Sequence, residues 1–143
     1  MQWVQVFGKR WYKILIMSNW KYFSEDELRC KGTSECNMNP EFMEKLVALR
    51  EEYDSPMIIT SGYRNAEHNA SIGGSSKSAH IHGCAVDVAV SGSNAYNLIK
   101  LAFEHGFSGI GVAQKGPHNS RFVHIDTMEG SDEILRPTIW SYK

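Results

Sequence analysis

Ser78-Ala79-His80-Ile81-His82-Gly83-Cys84-Ala85-Val86-Asp87, answered downstream by Phe122-Val123-His124-Ile125-Asp126, is the pair of stretches on which the reading of this chain turns. His80, Asp87 and His124 make up a two-histidine, one-carboxylate set, a combination that binds Zn²⁺ through nitrogen and oxygen. Three protein donors leave a fourth tetrahedral position for water, which is the arrangement of a catalytic zinc and points to metal-assisted hydrolysis. Both stretches also carry strand periodicity. Cys84, Val86, Val88 and Val90 alternate with Ala85, Asp87 and Ala89, so an apolar face can be buried while Asp87 lies on the other. Within 121–127, Val123 and Ile125 point one way and Phe122, His124 and Asp126 the other, toward the cleft that Asp87 faces. His82 would share the face of His80 on a regular strand and is the competing ligand.

Outward from these strands, the rest of the chain reads as alternating helices and strands. Ser24-Glu25-Asp26-Glu27 has the form of a capping box opening a short helix. Asn39-Pro40 starts a second helix, with Phe42, Met43, Leu46, Leu49 and Tyr53 at three-and-four spacing. Pro56 to Thr60 has strand length, and Ser61-Gly62-Tyr63-Arg64 falls where that strand ends. Asn65 to Ser78 is rich in Asn, Ser and Gly and reads as a loop around the site, with a helical turn near Glu67-His68. Ser93 to Glu104 reads as a helix capped by Ser93 and ended by Gly106, with Ala95, Leu98, Ile99, Ala102 and Phe103 on one face. Gly109 to Ala113 and Arg121 to Thr127 form two strands joined by a polar turn containing His118.

At 143 residues, with 42% hydrophobic and 22% charged residues, the chain suits one domain with one core. Its net charge of −1 and scattered basic residues give no footprint for nucleic acid or a membrane surface. Three cysteines are too few for a disulfide scaffold, and free thiols are expected. Lys9, Arg10 and Lys13 interrupt every apolar run of the first sixteen residues, leaving neither the apolar centre of a signal peptide nor a span of ~20 residues for a membrane helix. The expected organisation is an N-terminal appendage over 1–18 followed by one domain over 19–143.

The motif Ser-x-His-x-x-Gly-x-Ala-x-Asp followed by a late His-x-Asp resembles the zinc D-alanyl-D-alanine metallopeptidases. These include bacterial carboxypeptidases and phage endolysins that cut peptidoglycan stem peptides, and they share a zinc fold with hedgehog signalling domains. The resemblance covers about Asn19 to Trp140. It takes in Tyr22-Phe23-Ser24 through Leu28, the helix leading to Leu49-Arg50, Ser61-Gly62-Tyr63-Arg64, Asn69 and Gly73-Gly74 in family order. It implies that His80, Asp87 and His124 are the zinc ligands and that His82 is not one. The fold expected is α+β, with a small antiparallel sheet bearing zinc on its open face and helices packed on the other.

The resemblance further implies a zinc metallopeptidase acting on a D-Ala-D-Ala or related bond of a peptidoglycan stem peptide. Arg64 would hold a substrate carboxylate in its guanidinium fork, and Ser78 would either bond the same group or shape the ligand loop. The general base departs from the family: the position three before the last ligand is Arg121, and the position two before it is Phe122. His118, at an offset where hedgehog relatives carry an acidic residue, and Asp126 remain as catalytic candidates. His118 is favoured as the base and Asp126 as a carboxylate orienting a ligand histidine. The expected protein is a monomer made in the cytoplasm without a signal peptide, with no membrane insertion and no nucleic-acid partner. It would act on the wall after release, as a phage-type lysin, or as part of a phage particle. A non-catalytic wall-binding module is the competing reading, and a structural virion domain, its fourth position closed by His82 or a cysteine, is the third.

Overall fold

A computed structural model describes residues 20–143 and the backbone of two antiparallel strands near the N-terminus, β1 (Gln2–Val6) and β2 (Arg10–Ile14). The expected appendage over 1–18 otherwise lies outside the described residues. No described helix is long and apolar enough to cross a membrane.

Local chemistry accounts for the helices. Ser24 accepts from the Glu27 N–H while the Glu27 carboxylate accepts from the Ser24 N–H, so the capping box opens α1 (Glu25–Leu28) with both arms made. Asn39 Oδ1 accepts from Phe42 N–H at 3.0 Å and Pro40 occupies the first turn of α2 (Pro40–Tyr53). Asn65 caps α3 (Ala66–Ser71), the helical turn expected inside the 65–78 loop. The helix α4 (Gly92–Glu104) starts one residue before Ser93, with Ser91 at the cap position, and ends before Gly106 at φ +76°. Ser93 is therefore inside the first turn and caps nothing. Phe103, expected on the buried face of α4, is 57% exposed; Ala95, Leu98 and Ala102 make that face instead.

Five strands form the main sheet: β3 (Ile58–Ser61), β4 (Ala85–Ala89), β5 (Gly109–Ala113), β6 (Phe122–Asp126) and β7 (Thr138–Ser141), in spatial order β3-β4-β6-β5-β7. All neighbours are antiparallel except β7, which runs parallel to β5 along an edge. The fold is the α+β class expected, with one parallel strand added to the antiparallel sheet. Val86, Val88, Ile110, Val123 and Ile125 project from one face into a core shared with Phe42, Met43, Leu46 and Leu49 of α2 and Leu98 of α4. Register decides the rest. Asp87 pairs with His124 and Ala85 with Asp126, so the polar side chains of β4 and β6 share the opposite face, and a slip by one residue would bury them in the core. Cys30, Cys36 and Cys84 are free thiols, as expected.

Leu46 has no exposed surface, whereas Phe103 is solvated. Leu46→Ala is therefore expected to cost about 2–5 kcal/mol in denaturant unfolding and Phe103→Ala about 0.5 kcal/mol or less. Equal losses would mean that the helices bury other faces.

Candidate metal centre

His80 reaches the site from a 3₁₀ turn, Ala79–His82, and not from a strand. Ser78 Oγ accepts from the His80 N–H at 3.3 Å, and Gly83, at φ +67°, turns the chain into β4 where a side chain would collide with the Asn37 carbonyl. At three residues per turn, positions two apart point in different directions. His82 consequently does not share the face of His80: it is exposed and lines a separate cavity with Cys84 and Met128.

The three candidate donors are brought together by different elements. Asp87 and His124 are directly opposite on β4 and β6, and His80 is set above them by the turn. His80 Nε2 and His124 Nδ1 lie 3.2 Å apart, and they are 3.2 and 3.1 Å from Asp87 Oδ1. Among the described residues, this is the group of three or more His, Cys, Asp or Glu side chains able to hold a metal ion.

The outer hydrogen bonds assign the inner atoms. His80 Nδ1–H donates to the Gly62 carbonyl at 2.7 Å, which leaves the Nε2 lone pair facing inward. His124 Nε2–H donates to Asp126 Oδ2 at 2.7 Å, which leaves the Nδ1 lone pair facing inward. Two nitrogen lone pairs and a carboxylate oxygen therefore converge, at spacings close to the edge of about 3.3 Å of a tetrahedron with zinc-type bonds. Such a convergence is repulsive without a cation, so the donor set fits a divalent metal with nitrogen and oxygen preference.

Asp126 has no exposed surface and is bound by Arg136 through Nε to Oδ1 at 2.9 Å and Nη2 to Oδ2 at 2.8 Å, with the Met128 N–H also on Oδ1. Burial alone would raise its pKa; the His124 and Arg136 hydrogen bonds reverse this and hold it at about 2. Burial likewise opposes ionisation of Asp87, but the His124 and His80 rings beside it keep it well below the usual carboxylate range. For His124, burial favours the neutral ring, yet the Asp126 and Asp87 carboxylates push its pKa up.

Arg64 is partly buried and already engaged: Nε donates to Ser61 Oγ at 3.0 Å, Nη1 to Asn69 Oδ1 at 3.3 Å and Nη2 to Asp87 Oδ2 at 3.2 Å. It thus orients a ligand carboxylate as well as facing the cleft. The Ser78 hydroxyl lines the same cleft while capping the ligand turn. The two catalytic candidates part company. Asp126 is sealed beneath His124. His118 is exposed in the 3₁₀ turn that precedes β6, its Nδ1 3.5 Å from Ser91 Oγ, and it is not among the residues that line the cleft. Arg136 was missed in the sequence, because nothing in its spacing marks a loop residue ten positions on as the partner of Asp126.

The centre opens into a cavity of about 540 Å³ walled by Arg64, Ser78, Phe122, Trp140 and Tyr142. An α+β sheet carrying three inward donors, open on one side toward a cleft, is a site that could hold a metal ion with a position left for a further ligand. The Peptidase M15 family profile matches residues 21–126, and the chain belongs to that family. A zinc D-Ala-D-Ala carboxypeptidase from Streptomyces albus G is 35% identical over 89 residues, covering 62% of this chain and 34% of that relative. The match thus spans about a third of the relative's length.

Asp126→Asn is expected to weaken metal affinity by about 10- to 100-fold in chelator competition, because its amide NH₂ can no longer fix the His124 tautomer. Arg136→Gln should shift it in the same direction, and His82→Ala should leave it unchanged. The pH dependence has a defined sign. A depressed carboxylate pKa contributes stability that is present above about pH 4 and lost as pH falls toward about 2, so Asp126→Asn should lack that part of the acid transition.

Proposed function

We propose that this protein is a zinc peptidase that hydrolyses an amide bond, D-Ala-D-Ala or a related linkage, in a peptidoglycan stem peptide. The observation that carries the reading is the convergence of three lone pairs at the floor of a cleft that Arg64 also lines. Family membership and the likeness to a zinc D-Ala-D-Ala carboxypeptidase support it.

Bound zinc would polarise the scissile carbonyl and lower the pKa of water to ~7. The overall reaction adds water across the C–N bond: the water oxygen joins the acyl carbon, the C–N bond breaks with its electron pair going to nitrogen, and both water protons end on the leaving amine, giving a carboxylate and an ammonium group. The chain's own residues position the reactants. A guanidinium carries five N–H donors, and the three bonds made by Arg64 leave one on each terminal nitrogen for a substrate carboxylate. The Ser78 O–H remains free to donate while its oxygen accepts from His80 N–H. Phe122 and Trp140 supply apolar walls that exclude bulk water from the bond to be cut.

The test is turnover of purified peptidoglycan and of a D-Ala-D-Ala-terminated pentapeptide, with and without chelator. Zinc-dependent cleavage is expected, and product mass separates carboxypeptidase from endopeptidase action. A zinc-loaded protein that binds wall but cleaves nothing would be a binding module. Arg64→Lys is expected to lower kcat/KM by about 10- to 150-fold, since lysine keeps the charge and loses the fork. His118→Ala should stay within about twofold of the parent rate; a loss of 10² or more would restore His118 as the base.

A further inference from the structure

Residues 127–143 lie outside the family match, yet Thr138, Trp140 and Tyr142 wall the cleft. They reach it because β7 joins β5 in register, Gly111 opposite Trp140, with the Tyr142 N–H donating to the Val112 carbonyl at 3.1 Å. Gly111 makes the space. A Cβ there would sit 2.8 Å from the Trp140 indole and from the Tyr142 ring, so any larger residue would push both off the sheet face. The Tyr142 ring is held against Phe122 at 4.9 Å between centroids and against Trp140 at 6.4 Å, and Trp140 packs on His124 at 5.0 Å. The Tyr142 side chain, 40% exposed, is therefore anchored by backbone and by two rings in the wall of the cleft that holds the donor cluster.

Chemistry narrows the choice of group. Three and two positions before His124 the chain carries Arg121, whose Nε donates to the Gly116 carbonyl at 3.0 Å, and Phe122, which has no polar hydrogen. Arg136, in the cleft wall, is committed to Asp126. Glu133 stands at the rim, 76% exposed and paired with Lys77 at 3.4 Å. Tyr142 lines the same cleft as Asp87 and Arg64. Burial, with the Asp87 and Asp126 carboxylates, raises its pKa against the opposing effect of the Trp140 N–H and Arg64, so the phenol keeps its proton at neutral pH.

We propose that Tyr142 is a catalytic residue, its phenol O–H donating a hydrogen bond to the scissile carbonyl oxygen as that oxygen takes on negative charge. The assignment rests on the peptidase reading above. Its role is that of an oxyanion donor: it transfers no proton, and its hydrogen bond strengthens as the carbonyl becomes tetrahedral.

The test compares the metal-loaded full chain with its Tyr142→Phe variant in three measurements: kcat and KM on the pentapeptide, zinc content, and calorimetric affinity for a D-Ala-D-Ala phosphinate. In that probe a tetrahedral anionic phosphinate replaces the scissile amide. Tyr142→Phe is expected to lower kcat by about 10²- to 10³-fold and phosphinate affinity by at least about 10-fold. KM, zinc content and affinity for the product tetrapeptide should stay within about twofold. Gly111→Ala, which displaces the ring without removing the hydroxyl, should lose kcat in the same sense. Unchanged kcat and phosphinate affinity in Tyr142→Phe would overturn the proposal while leaving the peptidase reading intact. Equal losses for phosphinate and product would reduce Tyr142 to a packing residue and overturn it too, as would loss of kcat in Glu133→Gln with Tyr142→Phe unaffected. A parent protein that neither cleaves the pentapeptide nor binds the phosphinate would overturn both.

Discussion

Three lone pairs held about 3 Å apart inside a folded chain are the constraint around which this molecule is organised. His80 Nε2, Asp87 Oδ1 and His124 Nδ1 repel one another unless a cation lies between them, and each is kept inward by a partner on its outer side. The Gly62 carbonyl holds His80, Arg64 holds Asp87, and the Asp126–Arg136 pair holds His124. Removing one member of a buried charge pair such as Asp126–Arg136 typically costs about 3–5 kcal/mol, so Arg136 is bound to the fold as firmly as to the chemistry.

The sheet makes the constraint affordable. Val86 and Val88 on β4, with Val123 and Ile125 on β6, bury their whole side chains on the far face, where α2 and α4 close the core. The same two strands then present only Asp87, His124 and Asp126 as charged or titratable groups on the near face. One register serves both layers: any slip exposes valines and buries carboxylates together, so core packing and donor placement enforce the same pairing.

Much of this was legible because it depends on local periodicity. The alternations over 84–90 and 122–126 announced both central strands and the side on which their polar residues fall, and the Ser24 and Asn39 caps announced two helices. The His-x-His spacing alone leaves two histidines in competition, since an i, i+2 pair looks the same on a strand and on a 3₁₀ turn until the Ser78 cap and the αL glycine at 83 decide between them. Thr138-Ile139-Trp140-Ser141 is too short to show a period, and its parallel partner lies some thirty residues back in sequence, so β7 and the aromatic wall were invisible. Arg136 and His118 share that difficulty. Whether a loop residue reaches a centre is settled by tertiary packing, which brought one beneath His124 and left the other beside Ser91. Arg64 was read as a fork free for substrate, and its bond to Asp87 could not be read from a pattern.

Anomalous scattering at the zinc absorption edge, recorded from crystals grown with the metal, addresses the central claim most directly. The account predicts one peak, about 2.0–2.2 Å from each of His80 Nε2, Asp87 Oδ1 and His124 Nδ1, with the Asp126 carboxylate retained on His124 Nε2. A peak beside His82 and Cys84, or coordination of His124 through Nε2 with Asp126 released, would contradict it.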